Sequence, residues 1–357
     1  MKICIVTGGS GGHIFPAITY ADYATKQDDV EVVFIGNDHK MESTIVPKAG
    51  YDFYPIHNKG LQGSKVDKVK ALFSQFKAIR QAKKHLKDLK PDVVFAFGGY
   101  VSVPVGIAAN SLGIPLVLHE QNAYPGKANK LLAKRSKAIV TCYKEAFSEM
   151  SNSFYLGNPR ASLIDETIDS SAEFERLNLK NDMKTVLIVM GSQGSSAMNP
   201  IFFEMLKSLN QLDYQLILAT GPLHIESFEA NFKNLPDNVK ITGFVDQKAL
   251  LPKLDLTVAR AGASTIAEIQ SFGVPSILIP SPHVANNHQF FNAKSLSDVD
   301  ACVLLEEQGL TGEGLLTKIN EVLHDEVLTN ALSANAKHMA KPEAVSDIHQ
   351  LIETVVK

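Results

Sequence analysis

Four glycines and a histidine follow directly on an apolar run in "IVTGGSGGHIFP", residues 5–16. A glycine-rich turn between a strand and a helix exposes backbone amides and lets a ligand approach closely. Two familiar templates fail here. A dinucleotide fingerprint starting at Gly9 would need glycine at Ile14, and a P-loop would need Gly-Lys-Ser/Thr. What remains is a junction suited to a diphosphate, a sugar or a developing negative charge, with His13 at the mouth of the helix; a tight turn without a ligand is the plainer alternative. A second turn, "FGGYVSVPVGIAA" (97–109), repeats the pattern through Gly98 and Gly99. In "LHEQNAYPGKANK" (118–130), the polar side chains His119 to Asn122 follow the strand "PLVL". Polar groups at such a place are costly unless satisfied or used.

Later in the chain, "GSQGSSAMN" (191–199) offers a counterpart turn in which Ser192 adds a hydroxyl to the amides. "ARAGASTIAEIQSFGVPSILIPSP" (259–282) is more specific. Gly262 to Thr265 read as a helix start rich in N-cap residues, and Glu268 lies one turn inside. A carboxylate there can accept both hydroxyls of a ribose whose diphosphate rests on the helix N-terminus, or simply complement the helix dipole. "NNHQFFNA" (286–293) places Gln289 at another helix start. Metal chemistry finds little support: the eleven histidines are scattered and no HExxH occurs. "DVD" (298–300) precedes a strand and reads as loop.

The elements that must position these residues alternate from end to end. Twelve short apolar runs, from "KICIVTG" to "ACVLLEE", are separated by helical patterns. Nearly continuous apolar strands between helices signal parallel sheets covered on both faces. At 357 residues, two domains are expected. The break falls in the polar stretch "GNPRASLIDETIDSSAEFERLNLKNDMK", giving 1–160 and 161–341, with a last helix near 342–357 packing back on the first domain. Two doubly wound α/β domains facing a central cleft follow, with ligands beyond the carboxyl ends of the strands. A net charge of −3 gives no reason to expect nucleic acid. Cys4, Cys142 and Cys302 form no CxxC pair, so a reduced, cytosolic chain is expected. The start "MKICIVTGG" reads as a strand and not a signal peptide. No apolar segment reaches the ~20 residues of a spanning helix.

Together "TGGSGGH", "GGYVSVP", "HEQN", "GNPR", "GSQG", "RAGASTIAE" and "NHQFFNA" resemble, in order and approximate spacing, the peptidoglycan N-acetylglucosaminyltransferase family (MurG), across essentially the whole chain. The resemblance implies a GT-B fold of two Rossmann-like domains, the lipid acceptor on the N-terminal one and the sugar nucleotide mainly on the C-terminal one. It implies UDP-N-acetylglucosamine as donor, undecaprenyl-diphospho-N-acetylmuramoyl-pentapeptide (lipid I) as acceptor, a β-1,4 product formed by inversion, and no cofactor. By position it assigns Ser10, Gly11, Gly12, Asn122, Arg160, Ser192, Val245, Ala263, Ser264, Thr265, Glu268 and Gln289 to substrate binding. His13 is the candidate general base and His119 its reserve, since a histidine titrates near neutrality. Three departures from the family pattern, at Met190, around Arg160 and before Gln289, bear on those neighbours.

A basic stretch (64–87) reads as an amphipathic helix, with Leu72, Phe73, Phe76 and Ile79 at helical spacing among lysines. Either it only covers a sheet, or some of these four side chains meet an anionic membrane while the others anchor the helix. The family resemblance implies peripheral attachment to the cytoplasmic face of the bacterial membrane, with cell-wall synthesis proteins as further partners. The rival readings are a UDP-N-acetylglucosamine 2-epimerase, a diacylglycerol glycosyltransferase, and a sensor that binds UDP-sugar without turnover.

Overall fold

The computed structural model describes residues 1–58, 65–163 and 168–357, and for 65–73 the backbone alone. The chain divides into two compact units, Met1–Ser162 with Lys341–Lys357, and Leu163–Ala340.

The first unit holds a seven-stranded sheet: β1 (Lys2–Val6), β2 (Glu31–Asn37), β3 (Phe53–Ile56), β4 (Val93–Ala96), β5 (Leu116–Glu120), β6 (Ala138–Thr141) and β7 (Ser153–Tyr155). The strand order is β3-β2-β1-β4-β5-β6-β7, and every pair is parallel. The helices are α1 (Gly11–Ala24), α2 (Glu42–Lys48), α3 (Lys65–Leu89), α4 (Ser102–Ser111) and α5 (Lys127–Leu132). Strand β1 shows why the layers form. Cys4 and Val6 enter one core with Ala78, Ala82 and Leu86 of α3, while Ile3 and Ile5 enter the other with Ile14 and Tyr20 of α1. Successive side chains point to opposite faces, so an all-apolar strand requires a helical cover on each side.

The second unit repeats the plan with β8 (Thr185–Val189), β9 (Gln215–Ala219), β10 (Val239–Thr242), β11 (Leu256–Ala259), β12 (Ser276–Leu278) and β13 (Val303–Leu304), in the order β10-β9-β8-β11-β12-β13. Its helices are α6 (Ser171–Arg176), α7 (Asn199–Lys207), α8 (Ile225–Asn231), α9 (Gln247–Leu250), α10 (Ala263–Phe272), α11 (His288–Ser297), α12 (Gly312–His324) and α13 (Glu326–Met339). The chain then returns to the first unit, where α14 (Ala344–Val356) packs on α1. His349 of α14 and the Tyr20 hydroxyl share a buried hydrogen bond of 3.1 Å.

The sequence pattern contains no signal for β3. The strand is four residues long, contains Pro55 and is only partly buried. It forms the sheet edge, the place where a strand tolerates a proline that cannot donate to a ladder. The amphipathic stretch is helical as α3, over Lys65–Leu89.

Candidate functional site

In both sheets the strand order reverses beside the first strand, between β1 and β4 and between β8 and β11. Ligands of open parallel sheets bind outside the carboxyl ends of strands at such switch points. The turns picked out in the sequence follow those four strands: residues 7–12 after β1, 97–101 after β4, 190–198 after β8 and 260–263 after β11.

In the first unit, Ser10 is the N-cap of α1 and makes no side-chain cap hydrogen bond; Gly11 opens the helix. The first amides of a helix have no intrahelical acceptor, so this end presents N–H groups. Ser10 and Gly12 are exposed, and His13 is half-buried. Ser10 Oγ lies 3.1 Å from Nδ1 of His13. On its other side the His13 ring faces Gly98, where an added Cβ would come within 3.1 Å of Nε2. The two turns also interlock. Gly99 has φ +79°, and a Cβ there would collide with the Gly8 carbonyl oxygen, so glycine is required twice over.

Two buried carboxylates hold these loops. Glu42 is fully buried. It accepts from the Gly9 amide at 3.1 Å and from the amide and side chain of Asn37 at 3.1 and 3.0 Å. Glu120 accepts from the Asn122 amide and side chain, the Gly126 amide and the Asn129 side chain, at 2.8–3.3 Å. Burial raises its carboxyl above the ordinary range, against the lowering effect of those donors. Asn122 is thereby held in place and remains half-buried.

His119 occupies a different setting. It is completely buried and stacks on Phe97 with ring centroids 4.8 Å apart. Its Nε2 lies 3.2 Å from the Gly157 carbonyl, to which it donates. Burial pushes its pKa down to about 3, outweighing that hydrogen bond. Burial and the lowered pKa set the reserve-base candidate His119 apart from the half-buried His13. Only one of the His119 ring nitrogens is paired: Nδ1 is buried without a hydrogen-bond partner among the described residues. Arg160 is half-buried in a short 3-10 turn, Pro159–Leu163, and its amide donates to Asn158 Oδ1 at 3.0 Å.

In the second unit, Gly262 caps α10 without a side-chain hydrogen bond, leaving Ala263, Ser264 and Thr265 as its first turn. Helices α12 and α13 differ: Thr311 and Asp325 cap them with side-chain oxygens. Glu268 is buried on α10 one turn further along. Gln289 lies in the first turn of α11, and its Oε1 accepts from the Ser281 amide at 2.8 Å, which orients the carboxamide. Ser192 is exposed in its turn, and Val245 is buried just after β10.

A buried guanidinium ties this region together. Arg260 donates to the Ile279 carbonyl at 3.2 Å and to Ser195 Oγ at 2.9 Å, and it pairs with Glu307. It thus joins the ends of β11 and β12 to the turn after β8. The sequence reading misses Glu42 as a support and gives Arg260 no task, because each acts on residues distant in sequence. Among the four residues expected to meet a membrane, Phe76 is 63% exposed, and Ile79 packs on the core. The side chains of Leu72 and Phe73 lie outside the described residues.

Two family models match the chain: the glycosyltransferase family 28 N-terminal domain over residues 3–141 and its C-terminal domain over 185–352. A relative from Halalkalibacterium halodurans is 40% identical over the full length of both chains. One from Bacillus subtilis is 36% identical, again over all of both. Each is named UDP-N-acetylglucosamine--N-acetylmuramyl-(pentapeptide) pyrophosphoryl-undecaprenol N-acetylglucosamine transferase. The crystal structure of Acinetobacter baumannii MurG superposes with a TM-score of 0.79 at 28% identity, covering 99% of each chain. A UDP-GlcNAc 2-epimerase from Neisseria meningitidis reaches 0.69 at 11% identity over 99% of this chain and 100% of its own, a likeness of fold alone. With two Rossmann-like units, both family 28 domains and full-length relatives of one name, the chain is a glycosyltransferase of GT-B fold and belongs to the family of N-acetylmuramyl-(pentapeptide) pyrophosphoryl-undecaprenol N-acetylglucosamine transferases.

Proposed function

We propose that this chain transfers N-acetylglucosamine from UDP-N-acetylglucosamine to the 4-hydroxyl of the muramoyl sugar of lipid I, inverting the donor's α linkage into a β-1,4 bond. Full-length agreement with relatives named for this reaction carries the reading. The geometry supports a division of labour. The uncapped start of α10, through Ala263, Ser264 and Thr265, receives the donor diphosphate, and Glu268 accepts the ribose hydroxyls. Ser192, the backbone of Val245 and Gln289 complete the nucleotide-sugar contacts in this unit. Ser10, Gly11, Gly12 and Asn122 bind substrate from the first unit, and Arg160 offsets charge developing on the leaving UDP.

His13 is the general base. Ser10 fixes one ring nitrogen, and Gly98 makes room beside the other. His13→Ala is expected to lower turnover about 100-fold or more while UDP still binds in calorimetry. Near-normal turnover at saturating substrates would remove it from the role. The reaction itself is tested by UDP release from UDP-N-acetylglucosamine with and without a lipid I analogue. Release that requires the analogue supports the transferase. An epimer formed from donor alone means a 2-epimerase, and transfer to diacylglycerol means the lipid glycosyltransferase.

Among the described residues no helix is long and apolar enough to cross a membrane. The chain acts as a peripheral protein on the cytoplasmic face of the cell membrane, where α3 offers exposed Phe76 beside a groove lined by Lys77, Arg80 and Lys84. Sedimentation with anionic vesicles that weakens as salt rises fits this placement; no binding at low salt rejects it.

A further inference from the structure

A cluster of chemistry-bearing side chains stands at the far end of the first sheet, outside the residues given a task above. Strands β2 and β3 stay paired to Asn37 and Ile56, and the Asp38 amide donates to the Ile56 carbonyl at 3.2 Å. Asp38 and His57 therefore leave the sheet side by side, with His39 next along the loop. The His57 amide donates to Gln81 Oε1 of α3 at 3.0 Å, which pins this position.

Three ligating groups converge there. Nδ1 of His39 lies 2.6 Å from Asp38 Oδ1. Nδ1 of His57 lies 3.2 and 3.0 Å from the two carboxylate oxygens of Asp38. One donor atom from each residue falls within 4.8 Å of the others, and the imidazole rings are 5.2 Å apart. All three side chains are about two-fifths exposed, so an ion can enter from solvent.

Without a metal, each imidazole satisfies the carboxylate only by holding its proton on Nδ1. A dication can replace those two protons: the rings become Nε2–H tautomers and ligate through Nδ1, while the carboxylate stays anionic. Around a tetrahedral ion with bonds of about 2.0–2.1 Å, neighbouring ligand atoms sit roughly 3.3 Å apart. Asp38 and His57 nearly have that spacing, whereas the exposed His39 ring must turn to open its 2.6 Å contact with Asp38 and to close on His57, all three ligand atoms already lying within 4.8 Å of one another. Two imidazoles with one carboxylate suit Zn²⁺, Co²⁺ or Ni²⁺, whereas Mg²⁺ and Ca²⁺ take oxygen ligands.

We propose that Asp38, His39 and His57 bind one transition-metal dication of the Zn²⁺ class, with water completing its coordination. The ion would clamp the β2–α2 loop to the end of β3, and that loop leads directly into Glu42. No catalytic step is assigned to it. The sequence reading expects no metal because His39 and His57 lie eighteen residues apart in no ligand motif.

The test uses the untagged full-length chain with Zn²⁺ in calorimetry and Co²⁺ as a spectroscopic probe. One ion should bind per chain, and the Co²⁺ spectrum should lack an intense thiolate charge-transfer band. Losing even a supporting partner of a metal ligand costs 10–100-fold in affinity, so His57→Ala and Asp38→Asn should each weaken binding about 100-fold or more. His324→Ala, which breaks the exposed His324–Asp213 pair in the other unit, should leave it unchanged. Circular dichroism confirms that each variant is folded, and His39→Ala serves in place of any that is not. Absence of binding to the wild type, unchanged affinity in His57→Ala, or a thiolate band would overturn the assignment.

Discussion

The switch points of the two units share a strand order and differ in how they are braced. In the first unit the turn after β1 leans on the turn after β4, backbone against backbone at Gly8 and Gly99, with the His13 ring against Gly98. In the second the turn after β8 leans the other way. A Cβ on Gly194 (φ +74°) would collide with the Thr220 carbonyl oxygen after β9, and toward β11 the bridge is the hydrogen bond from Arg260 to Ser195. The buried charges differ too. Glu42 consumes the Gly9 amide, whereas Arg260 takes a hydroxyl and a carbonyl as acceptors. A carboxylate support uses up turn amides, and a guanidinium support, its charge balanced here by Glu307, leaves them for a ligand. This difference fits the proposal above, in which the amides of the second unit receive a nucleotide diphosphate and the first unit presents the base.

The largest test of that contrast is Arg260→Met. It leaves Glu307 buried opposite no cation, a change that costs about 3–5 kcal/mol. Urea denaturation should show the loss, with weakened UDP binding in whatever remains folded. A cost below about 1 kcal/mol would mean that Arg260 is not a brace. Glu42→Gln turns one acceptor oxygen into a donor facing backbone or side-chain N–H groups, for about 1.5–3 kcal/mol. Here turnover should fall while UDP affinity holds, and a matching fall in UDP affinity would erase the distinction between the units. Glu268→Ala should cost on the order of 1–3 kcal/mol of UDP binding, read by calorimetry, without loss of folding. Unchanged affinity in a folded variant would end its ribose role.

The smallest effect is electrostatic. His119 titrates near 3 in the folded chain, below its ordinary 6.5. The unfolded chain therefore binds the extra proton first as pH falls. The contribution of His119 to stability is complete above about 6.5 and drains between 6.5 and 3, at up to roughly 1.4 kcal/mol per pH unit. His119→Gln should flatten the stability profile between pH 7 and 5 relative to wild type. An identical slope would show that His119 is not the buried neutral group described.

Much of the architecture was legible along the chain. Strands such as "KICIV" and "TVLIV" are apolar at every position after the first, and only a sheet covered on both faces buries such a run. The glycine turns could be read because a strand running into positive-φ residues and then a helix is a local event. Strand β3 escaped because "FYPI" has no periodicity and is a strand only by pairing with β2. The setting of His119 was hidden for a similar reason. Its type and strand-end position were visible, but the burial that neutralises it comes from packing against residues distant in sequence such as Phe97, and it outweighs the hydrogen bond to Gly157.

The sequence by itself determined the alternation of strand and helix, the places where backbone amides end a strand, and the set of motifs that mark the family. Each depends on residues within a few positions of one another, where steric and periodic rules act. Tertiary structure alone decided which charges stand beneath those turns, which histidine stays near solvent and which is sealed, and that Asp38, His39 and His57 meet. Those outcomes depend on the pairing of strands distant in the chain, because the register of β2 against β3 and the packing on each face set which side chains are desolvated and which touch.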